Sequence, residues 1–476
     1  MYPPPRRRRK KHSSLPALTV MLVLVLAGLV ILAVSLGTSQ SPAGPSDPST
    51  PSTTQSEPTN PPTTAVPPTT TVPPTTVPPV VKEASFTLSA MGDMLMHAPV
   101  FNSCRNSDGS YNFDSIFRYL TGHIQSADYA AGNLETTLAG SDFKHYNGNI
   151  GYSGYPQFNC PDSIIDGMKN AGFDMVLTAN NHSYDTHTVG LNRTLEVIAD
   201  QRLQYLGTKS DAEEADYMIV ERNGIKLALA CYTYEDNADP NIVAPNGHTM
   251  TTEDAALINT FNYNELDTFY GEITDSLRDA DQLGADAFVL FVHWGYEYQT
   301  TQAPIQSEMA QALCDLGVDV IIGGHPHVVQ PVELLTSTVD ETQKTVCIYS
   351  MGNAISNQRL GNLSSVSTAH TEDGILFSVT FTRYSDGTVI LESAECLPTW
   401  VNLGTNPSTG RWEYNILPLD KEITDWKTQF DLNDTGLKKC NESYDRTMAI
   451  VGEGMTTVNE YLAQNTATVE TQLGVQ

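Results

Sequence analysis

The strongest constraint on this chain is where its apolar runs end. From Phe86 onward apolar runs alternate with amphipathic stretches. Five of the runs end at, or just before, an Asp, Glu, Asn or His: Gly92-Asp93, Gly132-Asn133-Leu134-Glu135, Ala179-Asn180-Asn181-His182, His293-Trp294-Gly295 and Gly323-Gly324-His325-Pro326-His327. A sixth segment, Tyr349-Ser350-Met351-Gly352-Asn353, puts a Gly-Asn turn in the same context. Open α/β sheets build their sites at strand ends. Hard carboxylates mixed with imidazoles are ligands for divalent metals.

The surrounding pattern predicts strands at 86–91, 127–131, 173–178, 287–292, 318–322 and 346–349. Helices are predicted at 161–171, 188–201, 269–283 and 304–316. Asn223-Gly224 and Asp386-Gly387 read as hairpin turns between strand-like runs. Strands that alternate with helices and include antiparallel hairpins predict a layered α/β domain with a mixed sheet, spanning 84–400. The pattern weakens after Pro398. Residues 401–476 read as a C-terminal helical extension, with helix-like pieces at 422–430 and 455–463 and a frayed last ten residues.

The first eighty-odd residues do not read as globular. Leu15 to Leu36 carries no charged residue and as a helix would span about 33 Å, enough for a hydrocarbon core. A basic tail at 1–14 precedes it, which places the N-terminus in the cytoplasm. A cleaved signal peptide is the alternative, with Ala33-Val34-Ser35 as a cleavage site, but its apolar core would be shorter. Residues 37–83 form a Pro/Thr-rich linker in which Pro-Pro-Thr-Thr recurs. Such a sequence builds no core and favours extended polyproline II, reaching on the order of 130 Å. The chain's formal charge is -29, and the basic residues Arg6 to Lys11 all precede the apolar segment, so the remainder is more acidic still. A surface that acidic repels nucleic acid and anionic lipid, which excludes nucleic-acid binding and peripheral membrane attachment as roles. Seven Cys show no zinc-ligand spacing. Cys231, Cys314 and Cys347 read as buried thiols, while export permits a Cys104–Cys160 disulfide.

Among the candidate ligands, Asp93 follows a strand and a Gly, so it reads as a metal ligand or a turn Asp. His97 is a second ligand if its loop curls back, and otherwise an ordinary loop histidine. Glu135 bridges two cations or caps the following residues. Asn181 beside His182 serves as metal ligand next to an acid, with Asp185 placed to orient the imidazole; the alternative is a polar turn. His325 and His327, at i and i+2 on extended backbone around Pro326, are expected to face one side. His293 adds a further imidazole. Five or more N and O donors without Cys suit a pair of divalent ions.

These segments, in this order, resemble the CapA (poly-γ-glutamate capsule biosynthesis) proteins of the calcineurin-like metallophosphatase superfamily. The likeness runs from about Ser85 to Leu397 and is carried by Met91-Gly92-Asp93-Met94-Leu95, Gly132 to Glu135, Thr178 to Asp185, Val292 to Tyr298, Gly323 to Pro331 and Tyr349 to Asn353. The resemblance implies a four-layer α-β-β-α sandwich with two divalent metal ions (Mn, Fe or Zn). It implies that Asp93 and His327 bind one metal, that Asn181, His293 and His325 bind the other, and that Glu135 bridges them. His182 becomes the acid that protonates a leaving group, with Asp185 behind it. Leu95 stands where the wider superfamily has a His, and His97 is the nearest one. The function implied is capsule or cell-wall polymer biosynthesis through a phosphatase or related hydrolase, or, as a third reading, peptidoglycan or amide hydrolysis. The non-enzymatic alternative is an anchored factor that binds, retains or helps export an anionic polymer. Expected partners are the membrane through the N-terminal helix, an anionic polymer or phosphorylated substrate, and other capsule synthesis or export proteins. The folded domain is expected outside the cell, in or near the wall.

Overall fold

The structure is a computed structural model that describes residues 79–475 except 236, 240, 363–365, 407 and 408. The expected basic tail, the 15–36 anchor and nearly all of the 37–83 linker lie outside the described residues. Among the described residues no helix is long and apolar enough to cross a membrane.

The chain forms a mixed α/β fold around two sheets. The first has eight strands. Its parallel half comprises β1 (Lys82–Met94), β2 (Tyr129–Asn133), β3 (Met175–Leu177) and β4 (Gln204–Leu206). The second has seven strands. Its hairpin β5 (Tyr217–Arg222) and β6 (Ile225–Glu235) turns through Asn223 and Gly224, whose φ values of 54° and 75° are the pair that a two-residue type I′ turn requires. Beside β6 lie β7 (Thr260–Asn262) and β8 (Ala287–His293), then β9 (Val320–Gly324), β11 (Lys344–Ile348) and, antiparallel at the edge, β10 (Val332–Thr336). The remaining strands return to the first sheet. β12 (Asn353–Ile355) pairs parallel with the end of β1, and β13 (Asp373–Tyr384), β14 (Val389–Thr405) and β15 (Trp412–Pro418) extend it antiparallel.

The two sheets share one core. Phe86, Leu88 and Ala90 of β1 meet Leu227 and Leu229 of β6 and Val289 and Phe291 of β8. The alternate residues face helices. Met91 and Met94 pack with Ile164, Ile165 and Met168 of α1 (Ser163–Ala171) and Ile198 of α2 (His187–Asp200). Phe288, Leu290 and Val292 pack with Phe269 and Ile273 of α3 (Leu266–Gln282) and Met309 and Leu313 of α4 (Pro304–Leu316). Buried on both faces, β8 is an unbroken apolar run rather than an alternating one.

The boundary expected at 400 falls inside β14, and β15 follows it in the sheet. Beyond them, a short helix at Trp426–Gln429 falls within the expected 422–430 piece, while the 455–463 piece is part of a single 40-residue helix, α5 (Asp434–Leu473), which also takes up most of the end expected to fray. β15 pairs only with the 399–405 half of β14. α5 packs against β14 on one sheet and β10 on the other. Its Val451, Met455, Val458 and Leu462 enter the core between the sheets. Asp373 on β13 fixes it further, accepting Ser443 Oγ at 2.6 Å and both Arg446 Nε at 2.8 Å and Nη2 at 2.7 Å. The stripe was hard to read because Ser443, Thr447 and Thr466 occupy buried positions and Gly452 and Gly454 interrupt it. Cys104 and Cys160, placed by sequence in polar loops, are buried free thiols in one apolar cluster, and the permitted disulfide is not formed.

Candidate metal centre

Parallel strands of both sheets deliver the candidate ligands at their carboxyl ends, as open α/β sheets do. Asp93 lies near the end of β1, in register with Asn133 of β2 and Asn353 of β12. Glu135 follows β2 by two residues. His293 ends β8 and is in register with Gly324, the end of β9, after which come His325 and His327. A β-carbon on Gly324 would stand 3.0 Å from Asp93 Oδ1, so glycine lets the second sheet's backbone approach the first sheet's carboxylate.

Two groups of donors result. Glu135, His293 and His325 form one, and Asp93, Glu135 and His327 the other; within each group one ligand atom per residue lies within 4.8 Å of the others, and all are buried. Glu135 belongs to both. Its Oε1 is 3.6 Å from His293 Nε2 and 3.8 Å from His327 Nε2. Asn181 Oδ1 is 2.9 Å from His293 Nε2, which adds an amide oxygen to the first group. His182 lies near enough for its charge to act on His293 and His325.

The donor set fits divalent ions. Both Glu135 carboxylate oxygens and His325 Nδ1 are buried without a hydrogen-bond partner. An orphaned buried carboxylate is costly unless a cation answers it. Burial first, then Asp93, Glu297 and Asp185, pushes the Glu135 carboxyl well above the usual range. Burial first, then neighbouring imidazoles, holds His293 and His325 well below theirs, leaving nitrogen lone pairs available to a metal.

Around the donors runs a set of amides. Asn133 Nδ2 donates to Asp93 Oδ1 at 2.8 Å, and Asn180 Nδ2 donates to Asn133 Oδ1 at 3.0 Å. His325 N donates to Asp93 Oδ2 at 3.2 Å. Asn353 Nδ2 donates to the His327 carbonyl at 3.2 Å, so the Gly352-Asn353 segment is scaffold for a ligand. Beside the donors, His182 Nδ1 lies 2.8 Å from Asp185 Oδ2. That carboxylate also accepts Phe158 N at 2.7 Å and Asn246 Nδ2 at 3.1 Å. Asn246 carries no sequence signal, since it sits in an aperiodic loop some sixty residues beyond its partner.

Two expectations change. His325 and His327 are not on extended backbone; their φ values are 94° and 57°. A turn, not strand pleat, sends one imidazole to each donor group, and left-handed backbone at a non-glycine residue is strain of the kind held at functional sites. His97 joins neither group of donors. Its Nδ1 lies 3.3 Å from Leu95 O and 3.4 Å from Asn357 N, and its ring packs edge-on against Phe158. Burial lowers its pKa to about 4.

Comparison with known proteins bears on the same stretch. Residues 87–358 match the family of the bacterial capsule synthesis protein PGA_cap. The chain is 26% identical over 276 residues to the capsule biosynthesis protein CapA of Bacillus anthracis, and 29% identical over 248 residues to the PGA biosynthesis protein CapA of Bacillus subtilis (strain 168). Those matches cover 57% and 52% of this chain and span 60% and 57% of the relatives' own lengths. The family match contains every member of the two donor groups together with His182 and Asp185, and ends before β13. The chain therefore belongs to the bacterial capsule synthesis protein family PGA_cap, the family towards which its six segments pointed.

Proposed function

We propose that this protein serves capsule, or related cell-wall polymer, biosynthesis as a metal-dependent phosphoesterase. One observation carries the reading: Glu135, fully buried with neither side-chain oxygen hydrogen-bonded, stands between two groups of imidazole and carboxylate donors. On this reading Asp93, Glu135 and His327 hold one divalent ion, and Glu135, Asn181, His293 and His325 the second. A pair of such ions supplies charge to polarise a phosphoryl oxygen and makes hydroxide available at neutral pH. Mn, Fe and Zn all suit a set of N and O donors without thiolate.

The protein's own groups supply the rest. Asp185, held by Phe158 N and Asn246, orients the His182 ring through Nδ1. That leaves His182 Nε2 to carry a proton to the departing oxygen. Core clusters between the two sheets and on the outer face of each support the four-layer α-β-β-α arrangement of this class. The 15–36 segment anchors the chain, 37–83 acts as a stalk, and the folded domain works outside the membrane on a phosphorylated substrate or an anionic polymer, alongside other capsule synthesis or export proteins.

The test uses the purified full-length chain. Bound metal is measured, and phosphomonoester and phosphodiester turnover is followed with added Mn²⁺ or Zn²⁺. Stoichiometric metal and turnover are expected. His182→Ala should lose about 10²- to 10⁴-fold in rate with its metal retained. A wild-type protein with neither bound metal nor turnover refutes the enzyme reading, and metal without turnover returns the chain to the role of an anchored polymer-binding factor.

A further inference from the structure

The two donor groups are unequal. With Asn181, the group around His293 and His325 offers four protein donors. The group of Asp93, Glu135 and His327 offers three. Divalent ions on N and O donors take four or more ligands.

Glu297 stands next to the smaller group. Its Oε1 is 4.0 Å from His327 Nε2. That separation is too long for a hydrogen bond. It suits two donors on a common ion, which at bond lengths of about 2.0–2.2 Å lie roughly 3 to 4 Å apart. Glu297 is also close enough to Glu135 for its charge to contribute to the raised carboxyl there.

Its loop is fixed to the ligand-bearing turn. Trp294 N donates to Gly324 O at 3.1 Å, and Tyr298 N donates to Pro326 O at 2.8 Å, so both ends are tied to the backbone that carries His325 and His327. Gly295 N donates to Tyr263 Oη at 2.8 Å, and Gln358 Nε2 donates to Tyr298 Oη at 3.1 Å. Tyr298 is held at φ 65°, in the left-handed region that a side chain disfavours. Such strain persists only where the surroundings over-determine it. The residue delivered by this arrangement is a carboxylate 46% exposed, whereas every other donor is buried.

We propose that Glu297 is the fourth protein donor of the Asp93 group, placed on its solvent side. The inference rests on the two-metal reading above. Its test is metal binding itself. The full-length chain is stripped with chelator and titrated with Mn²⁺ alone; bound ion is measured by equilibrium dialysis, and coupling between ions by electron paramagnetic resonance. Wild type is compared with Glu297→Gln, Glu297→Asp and, as a charge control on the exposed side of α4, Glu308→Gln. Wild type and the control are expected to bind two ions with a coupled-pair spectrum. Glu297→Gln is expected to keep one ion at wild-type affinity, bind the other about tenfold or more weakly, and show isolated-ion signals, with Glu297→Asp between. Unchanged circular dichroism of the metal-free variants shows that folding is intact. Wild-type affinities for both ions in Glu297→Gln overturn the assignment and leave the two-metal reading standing. A wild-type chain that binds no Mn²⁺ overturns both.

Discussion

Gly452 and Gly454, two residues apart near the middle of α5, give a prediction whose sign depends on how that helix is seated. A β-carbon on Gly452 would meet only the Met448 methyl, at 3.6 Å, an ordinary contact. On Gly454 it would fall 1.8 Å from the Val332 carbonyl oxygen and 2.8 Å from the carbonyl carbon of β10. Helix propensity favours alanine by about 1 kcal/mol at either place. Nothing opposes that gain at 452, so Gly452→Ala is expected to stabilise by about 0.5–1 kcal/mol. At 454 the obstacle is strand backbone, which has no rotamer to change, so the helix itself must retreat. Overpacking costs about 1–3 kcal/mol, and the upper end applies where backbone resists. Retreat also loosens Val451, Met455, Val458 and Leu462, each worth about 1.5–3 kcal/mol when fully buried. Against the propensity gain, Gly454→Ala is expected to destabilise by about 2 kcal/mol, which sets the two variants about 3 kcal/mol apart. Urea unfolding of the metal-free full-length chain, followed by tryptophan fluorescence and by hydrogen exchange of the α5 amides, measures both. Gly454→Ala as stable as wild type, with unchanged protection in α5, would refute the seating of this helix on β10.

Arg446→Met removes the bidentate partner of Asp373, whose side chain is 1% exposed. Burial, opposed by Arg446 and Ser443, raises the Asp373 pKa from its ordinary 3.8 to about 6. A carboxyl raised in the folded state adds stability that is fully present below 3.8 and is lost as pH rises through about 6. Without Arg446 the folded pKa moves higher still, so wild type and variant should differ little at pH 5. By pH 8 they should part by up to about 2.7 kcal/mol, since one proton bound by the variant and not by wild type is worth about 1.36 kcal/mol per pH unit above 6; a pH-independent difference in unfolding midpoints contradicts this. His97→Gln is expected to leave metal stoichiometry unchanged while lowering thermal stability, because the ring packs on Phe158 and not among the donors; loss of one ion would restore His97 as a ligand. Glu135→Ala, by contrast, should bring bound metal close to zero in elemental analysis, since both groups share it.

Much of the site was legible because its residues are placed by strand ends. A buried parallel strand reads as an apolar run, and its termination marks where the backbone emerges, as at Asp93, His293 and His325. The Gly-Gly before His325 signalled a close approach, and the glycine does stand against Asp93. What the one-dimensional pattern could not carry was backbone handedness: the His-Pro-His spacing suggested pleat, and the chain turns instead. The supporting amides were also hidden. Asn246 reaches the site from an irregular loop, where no periodicity constrains the neighbour of a side chain. Of the fold, the long apolar strands and amphipathic helices were visible. Three-residue strands such as β4, β7 and β12 were not, being too short to show alternation. Of α5 only 455–463 was legible, because burial along the rest is shared among Ser, Thr and Gly as well as Val, Met and Leu.

The composition of the site also ties the proposed metal binding to the fold. Asp93 and Glu135 come from the first sheet, and His293, His325 and His327 from the second. Among the described residues, the ion-pair contacts of these two carboxylates are all to histidines. Burial keeps His293 largely uncharged. The hydrogen bonds from Asn133 and from the His325 amide are neutral donors; they orient Asp93 without cancelling its charge. Glu135 lacks even these. Two buried carboxylates so placed cost several kcal/mol unless positive charge reaches them. An arginine would supply it but would fill the space and leave no open coordination position. Histidines and amides keep that space open for a cation, which on the two-metal reading would bond to both sheets at once.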